Sequence, residues 1–214
     1  MSKIIAIMLL LCCGMMLFGC ADDNGRRKAE QQKTIVVPDR VGRKVELPYP
    51  LERVAVCNVY NAELITAVGA IDKIVGVDNY IFKDQSGFKN RFNEAQVFGI
   101  SQNAMNYEKL AELAPQAVII TGEGTWRDAQ EMLDRFGIKV IVINSYYTDQ
   151  FADNCRLIGR IFGREEQAEE LVNYFNDKLA YIQKQLQGVP RRSLYFEYRT
   201  LGKTALPGDY FYKM

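Results

Sequence analysis

The chain has 214 residues, 48% hydrophobic and 25% charged. That composition excludes disorder, collagen and a coiled-coil rod, and the length suffices for one substantial core or for one domain plus part of another. Lys and Arg total 27 against 26 Asp and Glu, and histidine is absent; this removes the usual warrant for nucleic acid and excludes a Ser-His-Asp hydrolase, a His-ligated zinc site and an imidazole shuttle within the chain.

The first segment reads as an address. Lys3 supplies a positive start, and Ile4 to Phe18 form an apolar run too short to span a bilayer as a helix, which needs about 20 residues. Residues 1–19 therefore read as a signal peptide. Leu17-Phe18-Gly19-Cys20 resembles the bacterial lipoprotein signal, in which the cysteine is lipidated, although Phe18 is larger than that pattern prefers. Residues 20–33 are polar and aperiodic and read as a lipidated tether. Asp22 resembles the signal that keeps some lipoproteins at the inner membrane. The expected location is the outer face of the cytoplasmic membrane, periplasmic in a cell with two membranes. Cys57 and Cys155 fall inside regular elements beside apolar neighbours and read as buried free thiols, in a compartment that also permits a bridge between them.

Residues 34–147 alternate strand and helix. Thr34–Val37 and Arg43–Leu47 flank the turn signal Asp39-Arg40-Val41-Gly42 and predict a hairpin. Strands are predicted over Arg53–Asn58, Ile74–Asp78, Ala117–Thr121 and Lys139–Asn144, with a weak one over Val97–Ile100. Helices are predicted over Asn61–Gly69, Asn106–Leu113 and Thr125–Phe136. Apolar strands separated by helices argue for a mostly parallel sheet covered on both faces. From Thr148 the pattern turns helical, first to Phe162 and then from Arg164 to Gln187. In the second helix Ala168, Leu171, Val172, Phe175, Leu179, Ile182 and Leu186 make an apolar stripe. Residues 148–187 thus read as a helical connector. Ser193–Thr200 reads as a strand that opens a further lobe over 188–214.

These residues carry a family resemblance. TIVVPDRVGRKVELPYPLERVAV, ELITAVGAIDKIVGVD, NYEKLAELAPQAVIITG, FGIKVIVIN and IGRIFGREEQAEELVNYFNDKLAYI resemble ABC-transporter substrate-binding proteins of the vitamin B12 and ferric-siderophore group. The resemblance runs from about Thr34 to Glu197. It implies an α/β chain with a Rossmann-like N-terminal lobe, a long connecting helix and the start of a second α/β lobe that is incomplete here. It also implies ligand held between the lobes, little hinge motion and no catalysis. Glu108, in Asn106-Tyr107-Glu108, matches the carboxylate with which such proteins contact basic residues of the permease. The same glutamate in a first helical turn also favours the helix dipole.

In an open parallel sheet, ligand groups gather at the carboxyl ends of the strands. Here those ends carry Asn58 and Tyr60, Tyr80, Trp126, Tyr146 and Tyr147, and Arg199. Any one of these aromatics serves equally to cap the core; as a set they favour a pocket for something large and partly flat. Arg199 suits an anionic ligand. Asp78, Asp84 and Glu123 are oxygen donors without fixed geometry and read as solvated acids, so no metal site or cofactor is assigned.

The expected function is a monomeric, lipid-anchored binding protein that delivers an iron chelate, haem or cobalamin to the transmembrane subunits of an ABC permease. One alternative is a lipoprotein that only docks a partner. Another is a histidine-free enzyme on the same lobes, for which no nucleophile elbow or paired-carboxylate motif speaks.

Overall fold

Four short strands, each apolar on both sides, decide the architecture. The structure is a computed structural model and describes residues 33–190. A hairpin, β1 (Thr34–Pro38) with antiparallel β2 (Lys44–Pro48), precedes a parallel sheet of β3 (Val54–Val56), β4 (Ile74–Val77), β5 (Ala117–Ile120) and β6 (Lys139–Val142) in the order β4-β3-β5-β6. Between and after the strands lie α1 (Val59–Ala67), α2 (Asn79–Lys83), α3 (Tyr107–Leu113), α4 (Trp126–Asp134), α5 (Phe151–Phe162) and α6 (Glu165–Gln185).

Side chains alternate across a strand, and the core divides accordingly. Val54, Val56, Ile119 and Ile141 meet Ile65 of α1 and Ile158 of α5 on one face. On the other face Ala55, Val118 and Val140 meet Leu110 of α3 with Ala129 and Leu133 of α4. Each fully buried Val, Leu or Ile contributes about 1.5–3 kcal/mol, so the two-faced sheet dominates stability. The predicted parallel sheet with helices on both faces is the one observed.

The hairpin turn is bolted to β6. Asp39 accepts from the backbone N–H of Arg43 (2.9 Å) and of Val41 (3.2 Å), and pairs with the Arg43 guanidinium at 2.6 Å. Arg40 N–H donates to the Val142 carbonyl at 3.0 Å, and Arg43 Nη2 to the Val140 carbonyl at 3.1 Å. The turn thereby covers the outer edge of β6, which would otherwise offer unpaired backbone groups.

Differences from the sequence reading are local. Residues 97–100 form no strand: Val97 bridges Val77, but Gly99 turns away to bridge Met105, so pairing with β4 ends after one step. α2 lies where no helix was predicted, nucleated by Asp78, whose Oδ1 accepts from Ile81 N–H at 3.0 Å. The segment from Thr148 begins as a 3-10 turn before α5. At 21 residues α6 is about 32 Å long. Its first half is partly buried through Ala168 and Val172, and from Asn176 onward every residue is exposed, including Leu179 and Ile182. Gly159 lets α5 and α6 meet closely, since a Cβ there would lie 2.5 Å from that of Ala168. The predicted leader, Cys20, Arg199 and the strand over Ser193–Thr200 lie outside the described residues, as does most of the expected second lobe. No described helix is long and apolar enough to cross a membrane.

Cys57 and Cys155 are free and fully buried, one in the core toward α3 and α4 and the other in the core toward α5. Being on opposite sides of the sheet, they form no bridge. Burial pushes the Cys57 thiol well above its ordinary value, with the Asp78 charge adding to the effect, and pushes Cys155 up to about 12.

Two outcomes follow. Asp39→Ala leaves the Arg43 charge without its buried partner and should lower unfolding free energy by about 3 kcal/mol, read as a lower denaturant midpoint at unchanged slope. Thiolate is the reactive form, so Cys57 and Cys155 should resist alkylation at pH 8 until the chain is unfolded, as peptide mapping will report. The folded state retains protons that the unfolded state gives up. The thiols' contribution to stability is therefore whole below the ordinary thiol value and is lost as pH rises toward 12.

Candidate ligand-binding site

The chain passes from β3 to β4 on one side and then to β5 on the other, so the sheet reverses its winding direction at β3. At such a point the loops leaving the strands diverge and leave a crevice. An open depression of about 1150 Å³ occupies that place. Its lining comes from the ends of β3 (Asn58, Tyr60, Glu63), β4 (Asp78, Tyr80, Asp84) and β5 (Thr121, Glu123, Gly124), with the loop at 101–103.

Asn58 sits in a conformation few residues adopt, φ 76° and ψ 126°. Two contacts hold it there: its N–H donates to Asp78 Oδ2 at 3.0 Å, and its Oδ1 accepts from Tyr60 N–H at 3.0 Å, capping α1. Asp78 thus caps α2 and anchors the turn before α1 at once. Burial raises the Asp78 carboxyl, while the N–H groups of Asn58, Ile81 and Tyr80 pull it back down.

Gln102 ties the 101–103 loop to the end of β5. Its Oε1 accepts from Thr121 N–H (2.9 Å) and Thr121 Oγ1 (2.7 Å), and its Nε2 donates to the Glu123 carbonyl. Gly124, at φ +83°, is held so close to Asn103 that a Cβ would collide with its Oδ1. At β6, Asn144 Oδ1 accepts from Gly122 N–H at 2.7 Å, and the Asn144 carbonyl accepts from buried Asn154 at 3.0 Å. Buried Asn61 spans Cys57 O (3.2 Å) and Ser145 N–H (3.4 Å).

The rim is aromatic. Tyr60 lies 6.3 Å from Tyr146, and Tyr146 lies 4.4 Å from Tyr147, ring centroid to centroid. Tyr146 Oη donates to Glu123 Oε1 at 2.6 Å. Burial first, and the Glu123 carboxylate second, raise the Tyr146 phenol. Tyr60 and Tyr80 remain 46% and 63% exposed at the edge of the depression.

The structure therefore brings Asn58, Tyr60 and Tyr80 into the lining and Tyr146 and Tyr147 beside it. It places Trp126 elsewhere. As the first residue of α4, Trp126 turns into the core, 8% exposed, with the guanidinium groups of Arg43 and Arg127 at 4.4 and 4.2 Å from its ring centre. Glu108 is exposed in the first turn of α3, with Asn106 capping that helix by accepting from Lys109 N–H at 3.0 Å. No cluster of three potential metal ligands occurs among the described residues. Glu63, Gln102 and Asn103 were missed. The amide pair at 102–103 was a visible signal, while Glu63 was betrayed only by its helical spacing from Val59 and Tyr60.

A periplasmic binding protein domain is matched over residues 54–212, and the chain belongs to that family, whose members are binding proteins rather than enzymes. Among solved structures, the periplasmic solute binding protein of Veillonella parvula DSM 2008 superposes with a TM-score of 0.61 at 27% identity, covering 74% of this chain and 50% of that one. Staphylococcus aureus SirA complexed with staphyloferrin B gives 0.59 at 20% identity, covering 72% and 51%. The molybdate-binding MolA of Haemophilus influenzae gives 0.63 at 21% identity, covering 73% and 55%. The last two likenesses show the fold. The chain spans about half the length of these solved structures. No curated protein matches it.

Asn58→Ala removes the cap and places a Cβ without compensating hydrogen bonds at positive φ. It should cost about 2 kcal/mol. Asn58→Gly loses the cap but relieves the backbone and should stay within about 0.5 kcal/mol of the parent. Thermal melts of the two variants decide this.

Proposed function

We propose that this chain is the ligand-capturing part of an extracytoplasmic solute-binding protein that hands a metal chelate, haem or cobalamin to an ABC permease. The observation that carries the reading is the depression at the carboxyl ends of β3, β4 and β5, rimmed by exposed tyrosines, in a chain of the periplasmic binding protein family. Flat apolar rings with polar edges suit a large, partly flat ligand. Proteins of the same fold include SirA, which is complexed with staphyloferrin B, the heme binding protein HmuT and the vitamin B12 binding protein BtuF.

In this reading Asn58, Tyr60, Tyr80, Tyr146 and Tyr147 contact the ligand, with Arg199 joining from the second lobe. Residues 34–147 form the first lobe and residues 148–187 the connector to the lobe that opens at 188. Glu108, exposed on α3, docks basic residues of the permease. Cys20 carries the lipid that holds the protein at the outer face of the cytoplasmic membrane. The protein acts as a monomer and needs no cofactor, since the transporter's ATPase supplies the energy. Trp126 has no part in ligand contact, because its ring is already taken up by Arg43 and Arg127.

Calorimetric titration of the full chain with a ferric hydroxamate, haem and cobalamin tests the reading. At least one should bind, and Tyr60→Ala should weaken that binding about tenfold, or ~1.4 kcal/mol. Absence of binding by all three overturns it.

A further inference from the structure

Overall the chain is nearly neutral, with 27 basic against 26 acidic residues. The depression is not. Its lining holds four carboxylates, Glu63, Asp78, Asp84 and Glu123, against one ammonium, Lys83. None of the four forms an ion pair among the described residues. The groups that do contact them are hydrogen-bond donors: Tyr146 Oη on Glu123, backbone N–H groups on Asp78, and Ser86 Oγ at 2.6 Å with two backbone N–H groups on Asp84. These neutral donors hold the oxygens in place without cancelling their charge. A cleft with one sign of charge and low-dielectric walls concentrates ions of the opposite sign.

From this placement we infer that the site selects a cationic ligand, a chelate or corrinoid-like complex of net positive charge or one bearing a protonated amine, and rejects polyanionic chelates. The inference rests on the depression being the ligand site, as proposed above.

Two further features agree with it. Tyr80, 63% exposed, lines the depression with the carboxylates, and an aromatic ring attracts a cation. Burial raises the Glu63 carboxyl, and the neighbouring Asp84 charge raises it further. A bound cation relieves that repulsion, whereas a bound anion adds to it.

The test holds ligand shape constant and changes its charge. Ferrioxamine B carries a terminal ammonium; acetylating the amine makes the complex neutral, and succinylating it makes the complex anionic. Titrated into the full chain at physiological ionic strength, the ammonium form should bind about tenfold more tightly than the acetylated form, and the succinylated form should bind most weakly. Glu63→Gln with Glu123→Gln should shrink the first gap to about twofold, while Lys83→Gln should widen it. Raising salt to about 1 M shortens the screening length from about 8 Å to about 3 Å and should also compress the series.

Equal binding of all three forms, each weakened by Tyr60→Ala, overturns the charge selectivity and leaves the site reading intact. Tightest binding of the succinylated form also overturns it, and assigns the dominant charge to Arg199. If none of the three binds, and neither haem nor cobalamin does, the site reading and the inference fall together.

Discussion

The pairing of Asp39 with Arg43 is the contact on which the outer margin of the lobe depends. A parallel sheet has to end somewhere, and its last strand presents backbone groups that need partners. Here β6 meets no further strand among the described residues. It meets the hairpin turn, whose geometry is set by Asp39 accepting from the backbone of Val41 and Arg43. The same carboxylate holds the guanidinium that donates to the Val140 carbonyl and lies over Trp126. One buried acid therefore locks a turn, covers an edge and fills the gap between that edge and α4. With the side chain of Asp39 wholly buried, these partners must all be present for the charge to be tolerated.

The opposite requirement governs the carboxyl ends of the strands. There the backbone leaves the sheet, and its polar groups have to be satisfied without filling the crevice. The chain does this with short amide and hydroxyl side chains: Gln102 on Thr121, Asn144 on Gly122, Asn61 on Cys57 and Ser145. Gln102 and Thr121 belong to the lining and fix it directly, while Asn61 and Asn144 tie the strand ends together behind it. Asn58 shows what this fixing demands. Its positive φ is held by Asp78 from one side and by its own cap on Tyr60 from the other, and both belong to the lining. A ligand meeting such a surface finds groups already placed, so little binding energy is spent on ordering them.

Much of this lobe was legible in the sequence. Runs such as AVII and KVIV have few readings other than buried strands, and the cap at Asn106 with Pro115 beyond Leu113 bounds α3 within a residue. The strand over Val97–Ile100 failed because its fate turns on Gly99, whose backbone packs against Ala104 and Met105, a tertiary approach invisible to local pattern. The five-residue α2 was too short to show periodicity. At the carboxyl ends of the strands, the rule named Asn58, Tyr60 and Tyr80, which line the depression, and also Trp126, which does not. Position after a strand says that a residue is near the crevice end; it does not say which way the ring turns. For Trp126 two guanidinium groups, one of them 83 residues earlier in the chain at Arg43, decide that.

The helical stripe of α6 shows the same division between local and distant causes. Its spacing is regular along the whole helix, yet burial is not. Ala168 and Val172 are buried against the lobe, Phe175 stacks on Phe151 at 4.2 Å, and beyond them Leu179, Ile182 and Leu186 stand exposed. Periodicity announces that one face of a helix is apolar; it is silent on what each part of that face meets. The direction in which α6 leaves the lobe is set at its first turns, where Gly159 admits Ala168 and Arg156 grips Glu169 at 2.6 Å. The charge pair is half-exposed and contributes little, so the close approach does most of the positioning. A single added methyl at residue 159 would collide with both Ala168 and the Arg164 carbonyl. The exposed turns beyond Asn176 would move with it, because a helix carries a tilt at its base along its whole length.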